Sequence, residues 1–426
     1  MFLDSRQRKF GFLFLAAALS LISLAVTARS AIARRLGSSD HIASLRRAAQ
    51  MEPSNAARHH WLGRVALFVQ QDHPGAVREL ETTTRLNPWV VEYWLDLALA
   101  YKAVGNGDGE ARALARALQA EPKNLNAALS EGNFYLSRGE IGPAMQRFRI
   151  VLENDPPDPV SVLDTCWRAT RDVNAVLEAL PPRAALHFRL LELLIRYGEP
   201  QAAGQVWERL VTLPQPFESG RPIGYVDWLI QMKQPAAARR AWDQIQLISR
   251  PQKAITKDLV VNPGFEDDLQ NAGFDWRFGA GGAVNFDQDE EESHSGRRSL
   301  AIIYTGASIN DSGLLQMFPV DPGTTMRLTA FTRSKDLLAA ERPRLAIEDY
   351  YSHSIVATGP AIQESATWQP ASVDFTVPPD CHLLAIKILL GSGQSRIKGT
   401  LWVDDFQLTP NPSAVPSPAL DITKVR

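Results

Sequence analysis

Cysteine occurs only twice in 426 residues, at Cys166 and Cys381. Two thiols so far apart form neither a disulfide framework nor a CxxC metal or redox pair. Two buried free thiols are the favoured reading; a bridge joining two regions is the other. Net charge is equally small, with 45 Lys and Arg against 47 Asp and Glu. Nucleic-acid backbones are held by basic faces, so nothing here points to nucleic acid as a partner. The eight histidines are scattered without metal-ligand spacing. The neighbours His59 and His60 point to different sides of a helix and cannot ligate together. There is no phosphate-cradling glycine loop and no nucleophile elbow. Glu348 and Asp349 are adjacent on an expected strand, so they face opposite ways, unlike a glycosidase acid pair. The chain therefore reads as non-enzymatic.

One long apolar run is present. Residues 10–28, FGFLFLAAALSLISLAVTA, carry no charge and follow a basic N-tail, 1–9, with Arg6, Arg8 and Lys9. As a helix of 19 residues it would span about 28 Å, close to a bilayer core. It is either an uncleaved transmembrane anchor or a signal segment cleaved after Val26-Thr27-Ala28. Its length favours the anchor. Arg29, Arg34, Arg35, Arg46 and Arg47 follow it, and by the positive-inside rule they would hold the bulk of the chain in the cytoplasm. A short basic N-tail is easily retained inside, however, and the C-terminal half argues for export. The expected location is membrane-anchored with the bulk extracytoplasmic, either periplasmic or outside.

At 426 residues the chain is too long for one core. Residues 40–250 have helical periodicity. In 91–122, Trp94, Leu97, Ala98 and Tyr101 share one helix face, Gly105-Asn106-Gly107 breaks the helix, and Leu114, Ala117 and Leu118 line a second one. Pro88, Pro122 and Pro156 recur every 34 residues, behind Asn87, Glu121 and Asp155. Proline stops helices, so one structural unit fills each interval. A hairpin of this size cannot bury its face alone and must stack on copies of itself.

These residues resemble the tetratricopeptide repeat family. The second copy carries Gly132, Tyr135, Gly139, Ala144, Phe148 and Pro156, and a looser first copy keeps Gly63, Ala76 and Leu80. Asp72-His73-Pro74-Gly75 and Glu110 depart from the pattern. It decays after Pro156 into short helices at 161–171 and 173–180. It returns with Gly198, Ala203, Trp207 and Leu210, and again with Ala238, Trp242 and Ile245. A right-handed α-solenoid with an irregular middle is expected to about Ser249. The resemblance implies a groove for a protein partner, lined by Glu92, Leu95, Leu99, Lys102, Asn126, Leu129, Asn133 and Leu136.

From Pro251 onward Gly, Ser, Thr and Asp rise and alternating runs appear. Strands are expected at 298–304, 313–320, 325–333, 344–350, 369–377, 383–390 and 400–409, with turns such as Pro263-Gly264 and Asp321-Pro322-Gly323 between them. This pattern is a β-sandwich. Residues 259–410 also resemble the carbohydrate-binding modules of the galactose-binding-like jelly-roll group. The matching stretches are Val261-Asn262-Pro263-Gly264-Phe265-Glu266, Ser293-His294-Ser295-Gly296-Arg297-Arg298, and Leu401-Trp402-Val403-Asp404-Asp405-Phe406.

That resemblance implies a structural calcium held by Glu266 and Asp404 (or its neighbour Asp405) with main-chain groups near 294–298. The other reading is that Glu266 caps a turn and pairs with Arg297 or Arg298. The resemblance places Trp276 and Trp368 in the core. Tyr350 and Tyr351, with Glu348, Asp349 and His353 nearby, form the glycan candidate. Phe278 and Trp402 are weaker ones. The tail, 411–426, is rich in Pro and Ser and expected to be disordered.

The expected class is therefore multidomain, α then β: an anchor, a solenoid and a jelly roll. By analogy of domain combination, that set suits a bacterial cell-envelope protein in polysaccharide assembly or export. The alternative is an assembly scaffold whose jelly roll binds protein and not sugar.

Overall fold

The computed structural model describes residues 5–37, 41–214, 222–249, 258–279, 281–391 and 393–410. The tail, 411–426, lies outside the described residues. The chain divides into two compact units, Met1–Leu213 and Pro214–Arg426.

The first unit begins with one long helix, α1 (Ser5–Gly37). The next helices are α2 (Ile42–Met51), α3 (Ala56–Val65) with a π-helical turn at Ala66–Gln70, and α4 (His73–Leu86). Then come α5 (Val91–Ala103), α6 (Gly107–Ala120), α7 (Leu125–Ser137) and α8 (Ile141–Glu153). The unit closes with α9 (Pro159–Thr170), α10 (Val173–Ala179), α11 (Ala184–Tyr197) and α12 (Pro200–Val211). The pairs α3–α4, α5–α6, α7–α8 and α11–α12 are helical hairpins. They are hairpins because their turns are built for reversal. Gly105, Gly139 and Gly198 take left-handed φ of 75, 74 and 70°, which costs glycine little. The side chains of Asn106, Asp72 and Asn124 accept hydrogen bonds from Gly109, Gly75 and Ala127, so each following helix starts on a satisfied amide.

Small residues let paired helices approach. A Cβ on Gly132 would lie 2.7 Å from Phe148, and one on Gly63 2.7 Å from Leu80. Phe148 and Leu80 are fully buried, each stabilising by roughly 1.5–3 kcal/mol. Tyr101 donates from its hydroxyl to Glu81 across the hairpin pair at 2.6 Å, and Trp94 donates to the Pro88 carbonyl at 2.8 Å. The repeat aromatics are therefore structural. Cys166 is a buried free thiol in α9, and burial pushes it up to about 12.

The second unit contains α13 (Ile223–Gln231), α14 (Pro235–Ser249) and a β-sandwich. This hairpin lies within the span read as solenoid, yet it folds with the sandwich. The reason is local. Trp242 lies edge-on to Phe274 at 6.5 Å, and Arg239 donates to the carbonyls of Leu259 and Asp258, at 3.0 Å each.

The strands are β1 (Arg277–Phe278), β2 (Val284–Asp289), β3 (Ser299–Ile309), β4 (Asp311–Pro319) and β5 (Thr325–Ala339). They continue with β6 (Pro343–Asp349), β7 (Ser354–Thr358), β8 (Gln369–Thr376), β9 (Leu383–Leu390) and β10 (Ser395–Pro410). All seven expected strands are present; β1, β2 and β7 are additional. One sheet has the order β1-β4-β9-β6-β7, the other β2-β3-β10-β5-β8, and all pairings are antiparallel. Alternate residues of each strand fill the core. In β9, Leu384, Ile386, Ile388 and Leu390 point inward, so Leu383, Ala385, Lys387 and Leu389 form the opposite face. The core joins Phe265, Trp276, Phe318, Leu345 and Phe406. The protein is thus an array of helical hairpins followed by a jelly-roll sandwich, as the sequence leads one to expect.

Candidate functional site

Three candidate sites need to be placed. The first is the solenoid groove. Glu92, Leu99, Lys102, Asn126 and Asn133 are exposed, and Leu95, Leu129 and Leu136 are half-buried. They lie on α5 and α7, the first helices of two successive hairpins. Leu95 also packs into the helical core. On α3, His60 meets Asp96 of α5 at 2.7 Å and lies tilted against Tyr93 at 4.4 Å, with Arg64 3.7 Å from the same carboxylate. Phe68 is 55% exposed beneath the Arg64 guanidinium. The sequence reading missed this charged cluster because His60 and Asp96 are 36 residues apart.

The second is the outer face of the β1-β4-β9-β6-β7 sheet. Glu348 and Lys387 stand on neighbouring strands β6 and β9, and Asp311 begins β4 on the other side of β9. The Lys387 ammonium lies 2.7 Å from an Asp311 carboxylate oxygen and 3.1 Å from Glu348 Oε2. Glu348 Oε1 lies 3.1 Å from His353 Nδ1. Burial would lower the Lys387 pKa, but the hydrogen bonds and charges of Asp311 and then Glu348 hold it above the ordinary lysine value. Beside this row Met317, Ala346, Leu383 and Ala385 are buried, and the register puts Arg344 and Arg277 on the same face. A pinned ammonium with two carboxylates offers fixed acceptors and donors for hydroxyl groups.

The two tyrosines separate here. Tyr350 and Tyr351 pack edge to face at 5.5 Å, and Tyr350 lies 6.5 Å from His353. Tyr351, however, donates its hydroxyl to the Ile230 carbonyl at 2.8 Å and lies under the Lys233 ammonium. Burial, with Tyr350 and Asp349 adding, pushes it up to about 12. It is committed to the α13–α14 hairpin, while Tyr350 borders the polar row. Asp349 turns away from Glu348 and caps the amide of Tyr351 at 3.0 Å. Sequence reasoning found Glu348, His353 and the tyrosines but not Lys387 or Asp311, because cross-strand partners follow only from register.

The third is the locus assigned to calcium. An extra residue in β10, Asp405 at φ 50°, shifts the register between Asp404 and Gln407. This bulge directs both aspartates at the turn 293–298. Asp404 Oδ2 accepts from the amides of His294 and Ser295 at 2.8 and 3.2 Å, and Oδ1 from that of Asp405 at 2.7 Å. Glu266 Oε1 accepts from the amides of Arg297 and Arg298 at 2.7 and 3.1 Å, which is the turn-capping alternative. Asp404 is fully buried; burial, with Asp405 adding, pushes it up to about 6 against the opposing amide bonds. Among the described residues no group of three or more His, Cys, Asp or Glu is placed to hold a metal ion. The turn offers N–H donors where a calcium shell needs carbonyl oxygens, so the residues as arranged do not fit that ion.

The other aromatic candidates are engaged. Trp276 is fully buried, as its motif implies. Trp368 is not in the core: it is half-buried, edge-on to His294 at 5.8 Å. Trp402 donates to Asp289 at 2.8 Å beneath Arg333, and Phe278 packs on Phe286. A cavity of 1090 Å³ between Lys233, Arg240, Val320, Met326 and His382 shares no lining residue with the polar row.

No family model matches the chain, and no curated protein matches it. Solved structures do. MamA protein is 18% identical over 41% of this chain and 94% of its own, with a TM-score of 0.33. PilW, a widely conserved type IV pilus biogenesis factor, is 15% identical over 46% of this chain and 94% of its own, with a TM-score of 0.27. The CBM22-1 xylan-binding domain of Paenibacillus barcinonensis Xyn10C is 16% identical over 38% of this chain and 100% of its own, with a TM-score of 0.26. At such scores the likeness carries no argument about function. The fold rests on the helix pairs and strand orders above.

Proposed function

We propose that this chain is a non-enzymatic, membrane-anchored envelope protein. Its solenoid docks a protein partner and its jelly roll binds a glycan, in polysaccharide assembly or export. The observation that carries the glycan reading is the Asp311–Lys387–Glu348 row on the outer sheet face, bordered by Tyr350. The groove reading is supported by the exposed mix of Glu92, Leu99, Lys102, Asn126 and Asn133 on successive first helices, which suits an extended segment or amphipathic helix.

Anchoring is supported by α1. From Phe10 to Gly37 it is long and apolar enough to cross a membrane. It continues without a break past Ala28, with Ala33 fully buried and Arg29 donating to the Met51 carbonyl at 2.5 Å. A segment whose far end packs into the fold is better suited to an anchor than to a removed signal. The bulk of the chain is assigned outside the cytoplasm, and impermeant labelling of intact cells tests this. Labelling only after lysis would sink it.

Affinity electrophoresis of the full chain in detergent against a polysaccharide panel tests the glycan reading. Retardation that Glu348→Ala abolishes is expected. A second reading, a scaffold whose sandwich binds protein only, is favoured by the commitment of Tyr351 to Ile230; retardation by none of the polysaccharides would select it.

A further inference from the structure

The turn 293–298 is where the resemblance and the geometry part. Four of its amides, those of His294, Ser295, Arg297 and Arg298, point at two carboxylates. Gly296 makes this possible. It takes a left-handed φ of 64°, and a Cβ there would lie 2.1 Å from Glu266 Oε1. Successive amides converging in this way form a nest, which binds anions and repels cations.

The carboxylates are presented rigidly. Glu266 sits in a loop closed by Asn262, whose side chain accepts from the Asp267 amide at 3.0 Å and donates to its carbonyl at 2.8 Å. Gln288 donates to the Phe265 and Asp267 carbonyls at 2.8 and 2.9 Å. Asp405 completes the closure, taking the Ser295 hydroxyl at 2.8 Å and facing His294 Nδ1 at 2.6 Å. Calcium needs six to eight oxygens directed at one centre. At His294, Ser295, Arg297 and Arg298 the peptide planes turn their N–H groups toward the carboxylates, so the carbonyls that precede them face away.

We propose that this locus is a metal-independent latch. The Glu266 and Asp404 carboxylates hold the backbone of the turn directly and tie the first loop of the sandwich to its last strand. The latch does not depend on the glycan reading.

Thermal melts of the full chain in detergent test it, after EDTA and after 1 mM calcium. The sandwich transition is expected to stay within about 1 °C in both. A calcium site filled a hundredfold above its Kd would raise it by roughly 5–10 °C, and such a rise overturns the latch. Glu266→Gln supplies a second arm, because its amide oxygen still accepts from both amides whereas Glu266→Ala removes the acceptor. The latch requires the Gln variant to melt clearly above the Ala variant. Equal losses in the two overturn it.

Discussion

The hydroxyl of Tyr351 donates to the main-chain carbonyl of Ile230 across 2.8 Å, joining the β6–β7 turn to the end of α13. It is one of several ties. Asp227 accepts from the Gly273 amide at 3.0 Å and pairs with Arg277. The α13–α14 hairpin therefore belongs to the sandwich's own packing. Tyr351→Phe should lower stability by about 1 kcal/mol, roughly 2–4 °C for a unit of this size. A fragment of residues 259–410 should melt lower still than one of 214–410. Equal melting of the two fragments would show that the hairpin adds nothing.

Gly273 sharpens the same relationship. Its φ is 58°, and a Cβ would lie 2.3 Å from the Trp242 ring. In the solenoid, Gly132 is the counterpart beneath Phe148. Gly273→Ala and Gly132→Val should each destabilise by about 1–3 kcal/mol, through strain or overpacking. Denaturant midpoints at an unchanged slope would measure this. A midpoint equal to wild type would remove the close-approach argument for that position.

The same residues show what the sequence can disclose. Gly132 and Gly63 are positions that the tetratricopeptide resemblance names. The strand 369–377 was readable because the alternation of Val373, Phe375 and Val377 and the flanking turns are local signals. The α13–α14 hairpin was misleading: Ala238, Trp242 and Ile245 carry a repeat-like face, and periodicity cannot say which surface that face meets. The bond of Tyr351 to Ile230 was unreadable for a related reason, since an aromatic on a strand end is equally suited to solvent and to a neighbouring helix. Lys387 and Asp311 were invisible because a charge row across three strands exists only once the register is known. The carboxylates of Glu266 and Asp404 both meet the turn 293–298. Whether the turn offers amides or carbonyls to them depends on backbone angles at Gly296 and Asp405, which the motif letters do not encode.

On the proposed glycan reading the two tyrosines differ. Tyr350 borders the Glu348–His353 end of the polar row, and Tyr351 does not reach it with its hydroxyl. Tyr350→Ala should weaken glycan binding about tenfold, near 1.4 kcal/mol, with little change in melting. Tyr351→Phe should do the reverse. Parallel affinity electrophoresis and melts would check the pair, and a binding loss confined to Tyr351→Phe would move the site off the row.

His187 makes the solenoid's stability depend on pH. It is 1% exposed on α11, with Nδ1 3.0 Å from the Arg183 carbonyl. Burial lowers its pKa below the ordinary 6.5, against the opposing effect of that hydrogen bond. As pH falls through 6.5, the unfolded chain takes up a proton that the buried ring does not, so stability rises with pH across this window. The contribution is complete above the unfolded value and is lost as pH falls toward the folded one. One such site changes stability by at most about 1.4 kcal/mol per pH unit. Asparagine can place an amide N–H near the position of Nδ1 without titrating. Between pH 7.5 and 5.5 the helical transition of wild type should therefore fall further than that of His187→Asn. Identical slopes in the two proteins would mean that the ring titrates alike in the folded and unfolded states.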